Sequence, residues 1–207
     1  KDFVGTNKND QFIADNSVAG TVNASAADTL DGGKGTDTFK LYDAAATTAA
    51  DLPTLKNIEN VALHNLTAGD FDATKWDTVG TLYVVNAGAA TLGTGFDLGE
   101  KVTTVNFENI AADQELTFDN ALTAATLGVN NAINAGAAVA VTVNGAALKT
   151  LTVDASGKAS NVKLTQAAIE TLNITGKANL TLDATSVLTS VKTVDGSKAQ
   201  GNLTFSN

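Results

Sequence analysis

The chain contains no cysteine, no methionine and no arginine, and only one proline, one histidine and one tryptophan. Each scarcity removes a class of protein. Without cysteine there is neither a disulfide framework nor a thiolate metal site, and redox chemistry says nothing about compartment. One histidine cannot build a multi-histidine zinc centre. With no arginine and a formal net charge of −9 on 207 residues, the chain lacks the clustered basic groups that nucleic acid and anionic membranes require. No apolar run reaches the ~18 residues of a membrane-spanning helix, and no basic-then-apolar signal opens the chain. The missing initiator methionine implies a processed product or a fragment, whose export signal would lie outside this stretch.

What is present is a repeat. The stretch Ile169-Glu-Thr-Leu-Asn-Ile-Thr-Gly176 reads apolar, spacer, small polar, apolar, spacer, apolar. The same order recurs from Ile58, Val79, Val102 and Leu148, with weaker copies from Ala124 and Leu188. A hydrophobic pattern returning at intervals of about 20 residues marks a solenoid, in which each coil stacks on the last. A second series interleaves with it: Leu116-x-Phe118, Val139-x-Val141-x-Val143, Val162-x-Leu164, Leu180-x-Leu182 and Leu203-x-Phe205. These alternate with period two and are rich in threonine and valine, so they read as strands. Two strands per coil and no helix-length pattern between them give an all-β parallel β-solenoid, or β-helix. A leucine-rich repeat has a similar period. It is disfavoured because the second segment alternates and because no asparagine is read at a fixed turn position. Aromatics make up only 5% of the chain, which suits the narrow interior of thin coils. The register assigned here predicts one interior ladder through Leu82, Val105, Leu127, Leu151 and Leu172.

The first forty residues have a different grammar. Gly32-Gly33-Lys34-Gly35-Thr36-Asp37-Thr38-Phe39-Lys40 is a complete G-G-x-G-x-D-x-U-x nonapeptide. Asp10, Asp28 and Asp37 are spaced 18 and 9 residues apart, each two residues before an apolar one. Glycines let the backbone turn tightly and aim carbonyl oxygens inward, while the aspartate supplies a carboxylate. Calcium, a hard cation seeking 6–8 oxygens, fits between such turns. The candidate calcium ligands are therefore Gly33, Gly35, Asp37, Asp28, Asp10 and Asp31. Asp70 and Asp72, two apart in a glycine-bearing turn, form a second candidate pair, and the acidic turn of Gly93, Gly95, Asp97 and Glu100 is a looser one. The expected layout is a calcium-binding β-roll-like cap over 1–43, continuous with a β-solenoid over 44–207.

The opening Gly5-Thr-Asn-Lys-Asn-Asp-Gln-Phe12, then Asp28-Thr-Leu-Asp-Gly-Gly-Lys-Gly-Thr-Asp-Thr-Phe39, Leu55-Lys-Asn-Ile-Glu-Asn-Val-Ala-Leu63 and Phe71-Asp-Ala-Thr-Lys-Trp76 resemble the repeats-in-toxin (RTX) type of surface-layer protein of Gram-negative bacteria. The resemblance covers about the first 90 residues by phrase and the rest by composition and repeat. It implies a calcium-dependent β-solenoid, exported by type I secretion, that crystallises in two dimensions on the extracellular cell surface. Its partner would be itself, with cell-surface polysaccharide possible through regions outside this chain. Adhesins exported by the same route share these phrases. The chain departs from the family in having a single intact nonapeptide.

Catalysis is not expected. A polysaccharide lyase needs a base, commonly arginine or lysine beside calcium, and no lysine here is set among clustered acids on a repeated face. Glycosidases need two carboxylates at a matched separation, and sugar clefts on solenoids are usually lined by aromatics, of which there are one tryptophan and two tyrosines besides phenylalanine. His64 falls just after a strand and reads as a surface or turn residue, and Asp113 and Glu115 as surface charge. The expectation is a self-assembling structural protein. The alternative is a calcium-dependent secreted adhesin or carbohydrate-binding module.

Overall fold

In a computed structural model, which describes residues 1–18, 23–42, 52–66, 71–72, 76–87 and 96–206, the chain is a parallel β-solenoid, and no described residue is helical. Nine strands form one continuous parallel sheet in the order β18-β16-β14-β12-β10-β8-β6-β4-β2. These are β2 (Gln11–Asp15), β4 (Thr38–Tyr42), β6 (Asn60–His64), β8 (Thr81–Val85), β10 (Thr104–Glu108), β12 (Ala124–Asn130), β14 (Thr150–Ala155), β16 (Thr171–Gly176) and β18 (Thr193–Ala199). The strands between them form two further parallel sheets. One is β1 (Asp2–Val4), β3 (Thr29–Asp31) and β5 (Thr54–Lys56); the other runs from β7 (Phe71–Asp72) and β9 (Phe96–Asp97) through β11 (Gln114–Thr117), β13 (Val139–Asn144), β15 (Ser160–Thr165) and β17 (Leu180–Leu182) to β19 (Leu203–Phe205). The second apolar series of the sequence supplies β11, β13, β15, β17 and β19.

Alternation decides which side chains enter the core. In β4, Phe39 and Leu41 are buried; in β10, Val105 and Phe107; in β16, Leu172 and Ile174. The first apolar position of each strong copy (Ile58, Val79, Val102, Leu148 and Ile169) is fully buried at the corner that leads into the long sheet. The single-ladder expectation is corrected at β12. Leu82 does stack on Val105, and Val105 on Leu127. Leu127 then faces Val153, while Leu151 faces Ala125 on one side and Leu172 on the other. The physical reason is a widening of the sheet. β12 begins two residues earlier in the ladder, so its corner residue is Leu122 and not Ala124; the turn hydrogen bond of Leu122 N–H to the Asp119 carbonyl repeats that of Val102 to Gly99. A shift of two keeps every side chain on its face, so it costs the core nothing in polarity. The last copy is corrected too. Its corner residue is Val191, which repeats the same turn to Leu188, and Val194 stands opposite Leu172.

One recurrence escapes the sequence reading. Asn65, Asn86, Asn109 and Asn131 each follow a strand of the long sheet, with φ of 61°, 54°, 54° and 58°. An asparagine does recur at a fixed turn position, so what separates this fold from a leucine-rich repeat is the second strand of each coil, with no helix among the described residues. Among residues with a Cβ, asparagine tolerates the left-handed region best. There it turns the chain so that the next residue (Leu66, Ala87, Ile110 or Ala132) drops into the core. The side chains of neighbouring turns also meet, Asn131 Nδ2 donating to Asn109 Oδ1 at 2.9 Å. Asn86→Ala is expected to lower stability by about 1 kcal/mol and Asn86→Gly to be near neutral, measured as the shift in urea midpoint. Equal losses in both would show that the amide, and not the backbone conformation, matters at this turn.

Candidate functional site

The nonapeptide turn is built against the turn of the preceding coil. Thr38 lies opposite Gln11, which places Asp37 directly over Asp10. Asp37 is fully buried, and its Oδ1 accepts the Asp10 backbone N–H at 2.6 Å. Asp37 N–H in turn donates to Glu59 Oε2 at 2.7 Å. The three acids therefore form a ladder along one corner, each of the later carboxylates capping the backbone of the coil before it. The glycines serve this stacking. Gly33 and Gly35 have φ of 86° and 130°, and a Cβ on Gly35 would lie 2.7 Å from the Lys8 carbonyl group. Lys34 N–H donates to the Thr6 carbonyl at 3.2 Å, and Thr36 N–H to Asn9 Oδ1 at 3.0 Å.

The other candidate ligands are dispersed rather than gathered. Asp10 Oδ2 accepts from the Thr6 N–H and hydroxyl at 2.6 and 2.9 Å. Asp28 is held between the Lys1 amino group at 3.0 Å and Ser25; these partners, the amino terminus first, keep its carboxyl below the usual range. Asp31 Oδ1 accepts from Asn57 Nδ2 at 2.8 Å and Gly33 N–H at 3.1 Å, which lowers its pKa likewise, Asn57 contributing most. Asp70, Gly93 and Gly95 lie outside the described residues. Asp72 and Asp97 are opposite each other in the backbone ladder of β7 and β9. Asp113 and Glu115 each receive a hydrogen bond from the following coil, from Ala140 N–H and Asn144 Nδ2.

Among the described residues, no three His, Cys, Asp or Glu side chains are grouped so as to hold a metal ion. The fit to a hard cation rests on one atom. Asp37 Oδ2 is buried with no hydrogen-bond partner among the described residues. It borders the open side of Gly32, where a Cβ would lie 2.5 Å from it and would overlap the Asn57 carbonyl oxygen. A buried carboxylate oxygen left unpaired is costly, and a cation drawing on this oxygen and neighbouring carbonyls would relieve that cost.

A second gathering of polar groups was not expected. His64 is in β6 itself, facing outward and stacked on Tyr42 with ring centroids 4.3 Å apart. Its Nε2 is buried without a partner among the described residues. Tyr83 stands one strand over, opposite Ala62. Partial burial of the imidazole holds the His64 pKa below its ordinary value, Lys40 adding to this and Glu108 opposing it. The unfolded chain, with a histidine near pKa ~6.5, therefore binds this proton more readily than the folded one. The His64 contribution is complete above that value and declines as pH falls from about 6.5 through the lower folded pKa. Denaturation midpoints are expected to drop on going from pH 7.5 to 5.5, and His64→Gln to remove that part of the slope. An unchanged slope would assign the drop to other groups.

Comparison with protein-family models, with curated proteins and with solved structures finds no match to this chain.

Proposed function

We propose that the chain is a structural protein that assembles with itself into a calcium-dependent lattice on the extracellular cell surface, as its resemblance to RTX-type surface-layer proteins implies. The observation that carries this reading is the stacked nonapeptide corner, where Asp37 is fully buried and its Oδ2 has no hydrogen-bond partner among the described residues. Calcium would be held at the stacked corner by Asp37 Oδ2, with backbone carbonyls and water completing the oxygen shell, and Asp70 with Asp72 would offer a second site.

Sites of this kind, in extracellular modules, bind at ~10⁻⁴–10⁻³ M. At tenfold over its Kd, an ion that binds only the folded form adds about 1.4 kcal/mol. Electron microscopy of the purified protein in calcium and in chelator tests the whole reading. Ordered arrays in calcium alone are expected, with a higher melting temperature that Asp37→Asn loses. Dispersed particles at every calcium concentration would reject the lattice. Arrays and melting unaffected by chelator would reject the calcium.

A further inference from the structure

The sequence spaces Tyr42, His64 and Tyr83 about one coil apart, and the fold brings them to a single patch of the long sheet's outward face. Tyr42 stands opposite His64, Lys40 opposite Ala62, and Ala62 opposite Tyr83. Asn60 lies opposite Thr38 and Thr81, and Glu108 opposite Val85. Both tyrosines and the one histidine of the chain thus share three adjacent strands, with Glu108 on the fourth. Ala62 is the reason a hollow exists there. It is the small residue between two long ones, 6% exposed although it points away from the core. The resulting groove has a volume of about 360 Å³, with Thr38, Lys40, Asn60, His64, Tyr83 and Glu108 around it. Lys40 and Tyr83 are two strands apart, about 10 Å at the usual strand spacing.

The chemistry of the lining narrows the occupant. A polyanion is disfavoured by one lysine on a chain of −9. A metal is disfavoured because one imidazole and one carboxylate are too few. A hydrocarbon would leave the amide, ammonium and carboxylate groups unpaired. What remains is a compact molecule with an apolar ring face and hydroxyls that both donate and accept. We infer that this groove binds a neutral pyranose unit of a saccharide, seated over Ala62 with its C–H face against Tyr83 and its hydroxyls on Lys40, Asn60, His64 and Glu108. His64 Nε2, buried and without a partner among the described residues, gains one from a ligand hydroxyl. Tyr83, 37% exposed, has a free face to offer.

This site is independent of lattice contacts, and the two readings fail separately. The test is saturation-transfer difference NMR with the methyl glycosides of glucose, mannose, galactose, rhamnose and N-acetylglucosamine, with glycerol as an open-chain polyol. Transfer to the ring protons of at least one glycoside at millimolar concentration is expected, exceeding that to glycerol. Tyr83→Ala and Asn60→Ala should each weaken it at least tenfold, with the far-UV spectrum, melting temperature and array formation of the parent. Asn173→Ala, farther along the same face, should bind as the parent does. No transfer to any glycoside, glycerol responding equally, or transfer undiminished in Tyr83→Ala would each overturn the site.

Discussion

Leu151→Asp is expected to abolish cooperative folding. Leu151 is fully buried, flanked by Ala125 in β12 and Leu172 in β16. Val139, Val141 and Leu164 of the other sheet are likewise without exposure and belong to the same core cluster. A carboxylate in that position has no cation to pair with and no room for a water shell. An unpaired buried charge costs several kcal/mol, and losing the leucine's packing adds ~2–5. Together these approach the whole stability of an ordinary domain, ~5–15 kcal/mol. The control is Val194→Asp. It is the next position along that ladder, opposite Leu172, but it lies on the terminal strand and is 48% exposed. That substitution should shift the urea midpoint by less than about 1 kcal/mol. Loss of the sigmoidal transition in the first and its retention in the second is the expected pair of curves. A folded Leu151→Asp would remove Leu151 from the interior.

The contrast between Leu151 and Val194 also shows what was legible in the sequence. Period-two alternation is enforced by the strand itself, so Phe39, Val105 and Val153 declare their faces without any knowledge of their neighbours. Coil period is legible for the same reason at the corners of Ile58, Val79, Val102, Leu148 and Ile169. It fails at Ala124 and Leu188, because a sequence repeat fixes spacing along the chain and not pairing across it. The widening at β12 adds two residues while leaving every face unchanged, so alternation gives no warning of it. The asparagine turns lay in plain sight at Asn65, Asn86, Asn109 and Asn131. They were missed because His64-Asn65 and Asn130-Asn131 do not look alike as text; only φ makes them equivalent. For the candidate site, spacing singled out Asp10, Asp28 and Asp37 as one series; the fold stacks Asp37 over Asp10 and leaves Asp28 apart with Lys1 and Ser25. Spacing could not reveal that Asp28 and Asp31 spend their oxygens on local donors, nor that Glu59 extends the ladder. The tyrosine–histidine groove needed cross-strand register, which no local pattern contains.

Gly35→Val is expected to unfold the first coils while leaving the later ones in place. At φ 130° a β-branched residue is in a region that side chains other than glycine's rarely enter, at a cost of about 1–3 kcal/mol. The new Cβ would then lie 2.7 Å from the Lys8 carbonyl carbon and oxygen and 3.0 Å from Asn9 N. These are backbone atoms, tied by the hydrogen bonds of Thr36 to Asn9 and Lys34 to Thr6, so they cannot step aside as a flexible side chain would. Strain and overlap together should exceed about 3 kcal/mol. The damage should stay local, because each coil of a solenoid contacts only its neighbours. Hydrogen exchange in calcium-containing buffer is therefore expected to show fast amides from β1 to β4 and parent-like protection from β10 to β16. Lys34→Val, at the exposed neighbouring position, should leave both regions as they were. If Gly35→Val protects β2 and β4 as well as the parent does, the two turns are not stacked in this way, and the carboxylate ladder from Asp10 through Asp37 to Glu59 falls with them.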